Sequence, residues 1–210
     1  MADSLKEFYC GVEKCKLCYG PNAISVPVPP QTDASPGRIK VLLIGEQPHR
    51  PTVVASGVVD FGAEDPTVER LKDYLESAGV ARDEVMYTTS VMCLPNDPEK
   101  RGSRPSLDEA KNCAMNLREL IEFVKPRLII PMGHTAVHAV QWAFKSWSEL
   151  RQFILNYDVG RVIERDGVRI YPLYLASSST LDARPEVRQI RDWKRIPQIL
   201  NSLDTKAPTG

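Results

Sequence analysis

Ile39-Lys40-Val41-Leu42-Leu43-Ile44-Gly45-Glu46-Gln47-Pro48 is the stretch on which the fold turns. Five of its first six residues are apolar, with no polar alternation. That is the pattern of a strand buried on both faces, as strands of a parallel sheet covered by helices on each side are. The run stops at Gly45, so Glu46 and Gln47 fall where the carboxyl end of such a strand opens into a loop.

Further along, helical and strand periodicities alternate. Residues 66–78 place Val68, Leu71, Tyr74, Leu75 and Ala78 at helical spacing and stop at Gly79. Residues 84–92 read as a second strand and 96–105 as a polar, proline-rich loop. Ser106 and Glu109 then have the spacing of a capping box. The helix they open carries Ala110, Cys113, Ala114, Leu117, Leu120, Ile121 and Val124 on one face and ends before Pro126. A third buried strand follows over 127–132, with helices over 135–144 and 148–155. Asp166-Gly167, between 159–164 and 168–174, is a two-residue hairpin signal that makes one sheet edge antiparallel or mixed. A last helix is predicted over 185–200.

This order implies an α/β fold: a three-layer α/β/α single domain around a mainly parallel central sheet, with ligands bound beyond the carboxyl ends of the strands. The loops expected there are 46–61, 90–95 and 176–184. We divide the chain into a cysteine-containing amino-terminal arm over 1–38 packed on the core, the α/β domain over 39–202, and a flexible tail over 203–210. The proline-rich stretch 21–36 is expected to run extended over the surface.

A chain of 210 residues suits one domain, and 42% hydrophobic with 26% charged residues sets it apart from disordered and membrane-spanning classes. No apolar run reaches the roughly 18–20 residues that cross a bilayer, and the amino terminus lacks a basic flank before an apolar core. A cytoplasmic monomer without membrane contact is expected. Lys+Arg and Asp+Glu each number 27, so attraction to nucleic acid needs a local patch. Arg184, Arg188, Arg191, Lys194 and Arg195 are the candidate strip.

Five cysteines in such a chain point to metal or cluster ligation, not to disulfides. Cys15-Lys16-Leu17-Cys18 puts two thiolates within reach of one centre, Cys93 ends a strand, and Cys113 lies on the next helix. Ordinary buried cysteines account equally well for the last two. Cys10, Cys15 and Cys18 also have a plant-type 2Fe-2S spacing, but that leaves Cys93 or Cys113 unexplained, and nothing else resembles a ferredoxin. Spacing does not separate zinc from an iron-sulfur cluster.

Cys15 and Cys18 before the first strand, Gly45-Glu46-Gln47-Pro48 at its end, Thr89-Ser90-Val91-Met92-Cys93 after the second, and Glu109 with Cys113 before Pro126 to Gly133 together resemble the family 4 uracil-DNA glycosylases. The likeness runs from Cys15 to Ala139, with a weaker tail to Ile196. It implies a 4Fe-4S cluster on Cys15, Cys18, Cys93 and Cys113, for which a structural staple of the arm is favoured over redox signalling. It implies DNA as partner, and hydrolytic excision of uracil or a related damaged base in base excision repair.

Glycosidic cleavage passes through a cation-like sugar, so a carboxylate is needed beside it and the departing base anion must be stabilised. Glu46 takes the acidic position of the family's Gly-Glu-x-Pro-Gly motif, although a loop carboxylate also commonly caps backbone amides. His49 stands where that motif has its last glycine and is a candidate catalytic group. A flipped base is held by an aromatic face and by edge hydrogen bonds. Phe61 fits the first role, despite Asp60 where the family has proline. Gln47 fits the second, as do Thr89 and Ser90, which lie in the segment 88–91 where the family carries asparagine. The family's His-Pro-Ser segment corresponds to Ala176-Ser177-Ser178. With no histidine there, anion stabilisation falls to His49, to serine hydroxyls or to backbone amides. Ser177, Ser178, Ser179 and Arg184 are expected at DNA, with Leu181 as the wedge that fills the gap left by the base. His134 and His138, four apart, could nominally share a metal, though no carboxylate partner is evident and capping or core packing explains His134 at a helix start. The rival function is a catalytically weak DNA-binding iron-sulfur protein recognising an unusual base or single-stranded DNA. An iron-sulfur electron carrier would leave most of the chain without a role.

Overall fold

The computed structural model describes residues 5–18, 26–27, 36–47, 66–94, 104–165 and 167–204. Helix α1, Leu5–Lys14, buries Phe8 and Val12, one turn apart, in the core. The short strand β1 is Val26–Pro27, and β2, Val41–Gly45, is buried at every position. Helix α2 covers Pro66–Ala78, the bounds expected from its periodicity and Gly79 stop. Strand β3, Val85–Thr89, is followed by the two-residue β4, Cys93–Leu94. The predicted single strand over 84–92 therefore ends at Thr89, where Thr89 Oγ1 donates to the Val91 carbonyl (2.8 Å) and turns the chain.

Helix α3, Leu107–Val124, opens with the expected capping box, Ser106 accepting from the Glu109 amide while the Glu109 carboxylate accepts from Ser106 N. Strand β5 is Leu128–Pro131 and helix α4 is His134–Ala143. The predicted helix over 148–155 is instead two four-residue helices, α5 Ser148–Arg151 and α6 Leu155–Asp158. Gln141 Nε2 donates to the carbonyls of Leu150 (2.9 Å) and Phe153 (3.0 Å), so a side chain takes the place of the helical ladder there. Strands β6, Ile163–Arg165, and β7, Val168–Ile170, form the expected hairpin.

The last predicted helix also divides, into α7, Glu186–Trp193, and α8, Ile196–Asp204. Pro197 lacks an N–H and is accommodated in the first turn of a new helix, not inside a continuous one.

The sheet has order β3-β2-β5-β7-β6, parallel except for β6. Side chains alternate across it. Leu42, Ile44, Met86 and Ile129 pack with α1, α3 and α4, whereas Val41, Leu43, Leu128 and Ile130 pack with α2, α7 and α8. The result is the expected three-layer α/β/α arrangement, and it exposes the carboxyl ends of β2, β3 and β5 together. No described helix is long and apolar enough to cross a membrane.

Gly45 closes β2 where a Cβ would stand 2.2 Å from the Tyr87 hydroxyl. The phenol is the end of a rigid ring and has little freedom to retreat. Gly45→Ala is expected to cost about 1–3 kcal/mol through overpacking, read as a fall in Tm of roughly 3–10 °C.

Candidate functional site at the carboxyl ends of the strands

Glu46 leaves β2 directly above the sheet, and its backbone is fixed before its side chain is considered. Its carbonyl accepts from Val91 N (3.2 Å) and from the Ser90 hydroxyl, while Ser90 N donates to Gly45 O (2.8 Å). The carboxylate is 11% exposed. Its Oε1 accepts from Thr135 N (3.3 Å) at the amino terminus of α4, and its Oε2 faces Arg104 Nε at 3.2 Å. A helix amino terminus favours negative charge through its unpaired N–H groups and aligned peptide dipoles.

The docking depends on Gly133, which has φ of 90°, and at which a Cβ would come within 2.8 Å of Glu46 Oε1. Only a glycine accepts that dihedral without strain and also leaves room for the carboxylate. The structure places Glu46 at the strand ends and gives its carboxylate the amide-capping contact, with Thr135 N. The sequence reading did not single out Arg104, Gly133 or Thr135. A glycine between a buried strand and a helix start was the available signal for Gly133. Nothing in the local sequence marks Arg104.

Thr89 and Ser90 are buried, and each hydroxyl hydrogen goes to a backbone carbonyl, of Val91 and Glu46 respectively, which leaves their oxygens as acceptors. Gln47 is half-buried beside Glu46. His49 and Phe61 lie outside the described residues.

The serine-rich segment is a tight 3-10 turn, Ser178–Thr180, behind Ser177, whose hydroxyl oxygen accepts from Ser179 N (3.4 Å). Ser178 and Ser179 are exposed and Leu181 is half-buried. Thr180 Oγ1 shares its proton between the carbonyls of Leu175 and Ser177 (both 2.8 Å), and Gln189 Nε2 reaches Thr180 Oγ1 (3.2 Å) and Arg184 O (2.8 Å). Arg184, expected at a phosphate, has its fork occupied by Asp192, with Nε to Oδ2 at 2.8 Å and Nη2 to Oδ1 at 2.7 Å. Asp192 is buried, and this pairing is the main cause that holds the Arg184 guanidinium above its ordinary pKa. Arg188, Arg191, Lys194 and Arg195 of the predicted basic strip are exposed, and Arg195 also donates to Gly160 O (2.8 Å). Asp192→Asn should cost about 2–3 kcal/mol, below the roughly 3–5 kcal/mol of a fully buried pair that loses one partner, because Arg184 is partly exposed. Thermal melting together with faster amide exchange over 177–181 checks it.

His138 Nδ1 lies 2.9 Å from Gln141 Oε1. Because the Gln141 amide nitrogen already serves two carbonyls, its oxygen faces the ring, and His138 Nδ1 must donate. His138 thus supports α4 through Gln141, whereas His134 opens that helix with an exposed side chain, so core packing does not explain it.

The cysteines approach each other from three elements. The α1 helix and its Cys15 turn, closed by Cys15 N to Val12 O (3.1 Å), pack on α3. Asn112 Nδ2 holds Leu17 O (3.4 Å), and the Cys18 thiol points to Glu109 O (3.8 Å). Strand β4, which carries Cys93, pairs with β1. Cys113 Sγ accepts from Met92 N (3.4 Å) and lies 3.9 Å from Asn116 Nδ2. None of the five cysteines is in a disulfide, and Cys10 is exposed.

Burial pushes the Cys113 thiol up to about 12, aided by the charges of Cys93 and Cys18, against the Met92 and Asn116 hydrogen bonds. Burial likewise raises Cys18, with Glu109 and Cys15 adding to the shift and Asn112 opposing it. Cys15, Cys18, Cys93 and Cys113 are therefore linked neighbour to neighbour, and Cys10 does not enter that chain of interactions. Among the described residues no three His, Cys, Asp or Glu side chains stand close enough to hold one metal ion.

A parallel-centred sheet whose strand ends carry a docked glutamate defines an α/β protein with a candidate site at those ends. Over residues 32–189 the chain matches the family described as the uracil DNA glycosylase superfamily, and it belongs to that superfamily as a family 4-like member. It is 24% identical to a Type-4 uracil-DNA glycosylase of Sulfurisphaera tokodaii, over 94% of this chain and 84% of that protein. It is 25% identical to a Type-4 uracil-DNA glycosylase of Saccharolobus solfataricus, over 90% and 82%. To a Type-5 uracil-DNA glycosylase of Pyrobaculum aerophilum it is 33% identical, over 43% of this chain and 35% of the relative.

Proposed function

We propose that this chain is a monofunctional DNA glycosylase that draws a deaminated or modified base out of the DNA stack and hydrolyses its bond to deoxyribose. The observation that carries the reading is the Glu46 carboxylate, held on the amino terminus of α4 where β2, β3 and β5 end together. There it stabilises the cation-like sugar and orients the attacking water, whose oxygen bonds to C1′ as the C1′–N bond breaks and whose proton is released. Gln47 and the acceptor oxygens of Thr89 and Ser90 read the base edge, and Phe61 stacks on its face. The leaving base anion is met by His49, by the Ser177, Ser178 and Ser179 hydroxyls, or by backbone amides. Leu181 fills the vacated space, and Arg184 acts on DNA through the serine turn it braces.

Four cysteines outside any disulfide, coupled in the sequence Cys15, Cys18, Cys113 and Cys93, are a donor set whose thiolate chemistry suits a 4Fe-4S cluster. When bound, the cluster supplies a structural staple that fixes the arm over 1–38 and the start of α3 against the domain over 39–202. The protein acts as an intracellular monomer in base excision repair.

A catalytically weak DNA-binding relative is the second reading. It is favoured by the absence of histidine from 176–178 and by the inward hydroxyl bonds of Thr89 and Ser90. Labelled oligonucleotides carrying uracil, hypoxanthine, xanthine or hydroxymethyluracil separate the two. The glycosylase gives strand breaks after alkali on at least one of them, whereas binding to all with no breaks supports the weak relative.

A further inference from the structure

Arg104 is 65% exposed yet sets its Nε 3.2 Å from Oε2 of a glutamate that is 11% exposed. A guanidinium in that place opposes the task of the carboxylate, because a fixed positive charge beside Glu46 cancels part of the field that would stabilise a positive sugar. The pair is also easily exchanged. Only the Arg104 side of the pair is in solvent, and a guanidinium is well shaped for the oxygens of a phosphate. The position of Arg104 is set from the other side: Pro105 is buried, and Ser106 and Glu109 lock the first turn of α3 immediately after it. Its long side chain can therefore swing while its backbone stays at the rim of the site.

We propose that Arg104 is a latch on the catalytic carboxylate, resting on Glu46 in the free protein and moving to a backbone phosphate when DNA docks, so that Glu46 is uncovered only in the complex. This rests on the DNA glycosylase reading and adds to it a DNA contact coupled to the state of Glu46.

The test is fluorescence-anisotropy titration of a labelled uracil-containing duplex with the full chain, between 50 and 200 mM KCl. Arg104→Gln should flatten the slope of log affinity against log salt by about 0.9, the share of one phosphate contact, and Arg104→Lys should restore it. Glu46→Gln should tighten binding by a factor of about two to five or more while Arg104 is present, the size of an ion pair with one exposed partner, and by a smaller factor in the Arg104→Gln background. Equal slopes for wild type and Arg104→Gln, or the same gain from Glu46→Gln in both backgrounds, overturn the latch. Either result leaves the glycosylase reading standing if strand breaks still form. Failure to bind the duplex at all overturns both.

Discussion

Glu46→Gln should remove base excision while leaving a folded, DNA-binding protein. The amide is nearly isosteric, and its oxygen can still accept from Thr135 N above α4, so the loop has no reason to move. What disappears is the negative charge beside the sugar and the ability to take a proton from water. Losses of that kind amount to about 10²–10⁴ in rate. Single-turnover excision at saturating DNA is the measurement, because a binding defect would not lower it. A variant within a few-fold of wild type would show that Glu46 is only a cap on α4.

The second large effect is expected at Cys113, which lies in the core next to Cys93 and Cys18. If the four thiolates hold a cluster, Cys113→Ser removes a ligand, and the energy of cluster binding, which contributes to folding, is lost with it. Iron and labile sulfide should fall together in anaerobically purified protein. Stability should drop by about 3 kcal/mol or more, roughly 6–12 °C in Tm at this chain length. If Cys113 is an ordinary core residue, a serine still accepts from Met92 N, the cost is nearer about 1 kcal/mol, and no iron is present in wild type to be lost.

Much of the frame was legible because local pattern and tertiary demand agree there. The unbroken apolar run at 41–44, the Pro66–Ala78 helix with its glycine stop, and the Ser106–Glu109 capping box each carry their own signal in adjacent residues. Reading failed where a distant group decided the outcome. Gln141 breaks a helix by binding the carbonyls of Leu150 and Phe153, and α1 is recognisable mainly by Phe8 and Val12 docking on a core built much later in the chain.

The site divides in the same way. Glu46 was marked by the strand that ends beneath it, but its setting on Gly133 and Thr135 depends on a parallel pairing of β2 with β5. Arg104 reaches it from a loop whose sequence is merely polar. Arg184 was read as a basic side chain available to phosphate because its buried partner, Asp192, sits on a helix face where a charge reads as solvated.

Mass spectrometry of the reaction of the full chain with a duplex bearing a single damaged base measures the claim on which the rest depends. One free base released for each abasic site formed, with none from Glu46→Gln, is the outcome expected of a hydrolytic excision site at the end of β2. Intact oligonucleotide in every reaction across the four bases, from protein that binds the same duplexes, would contradict it.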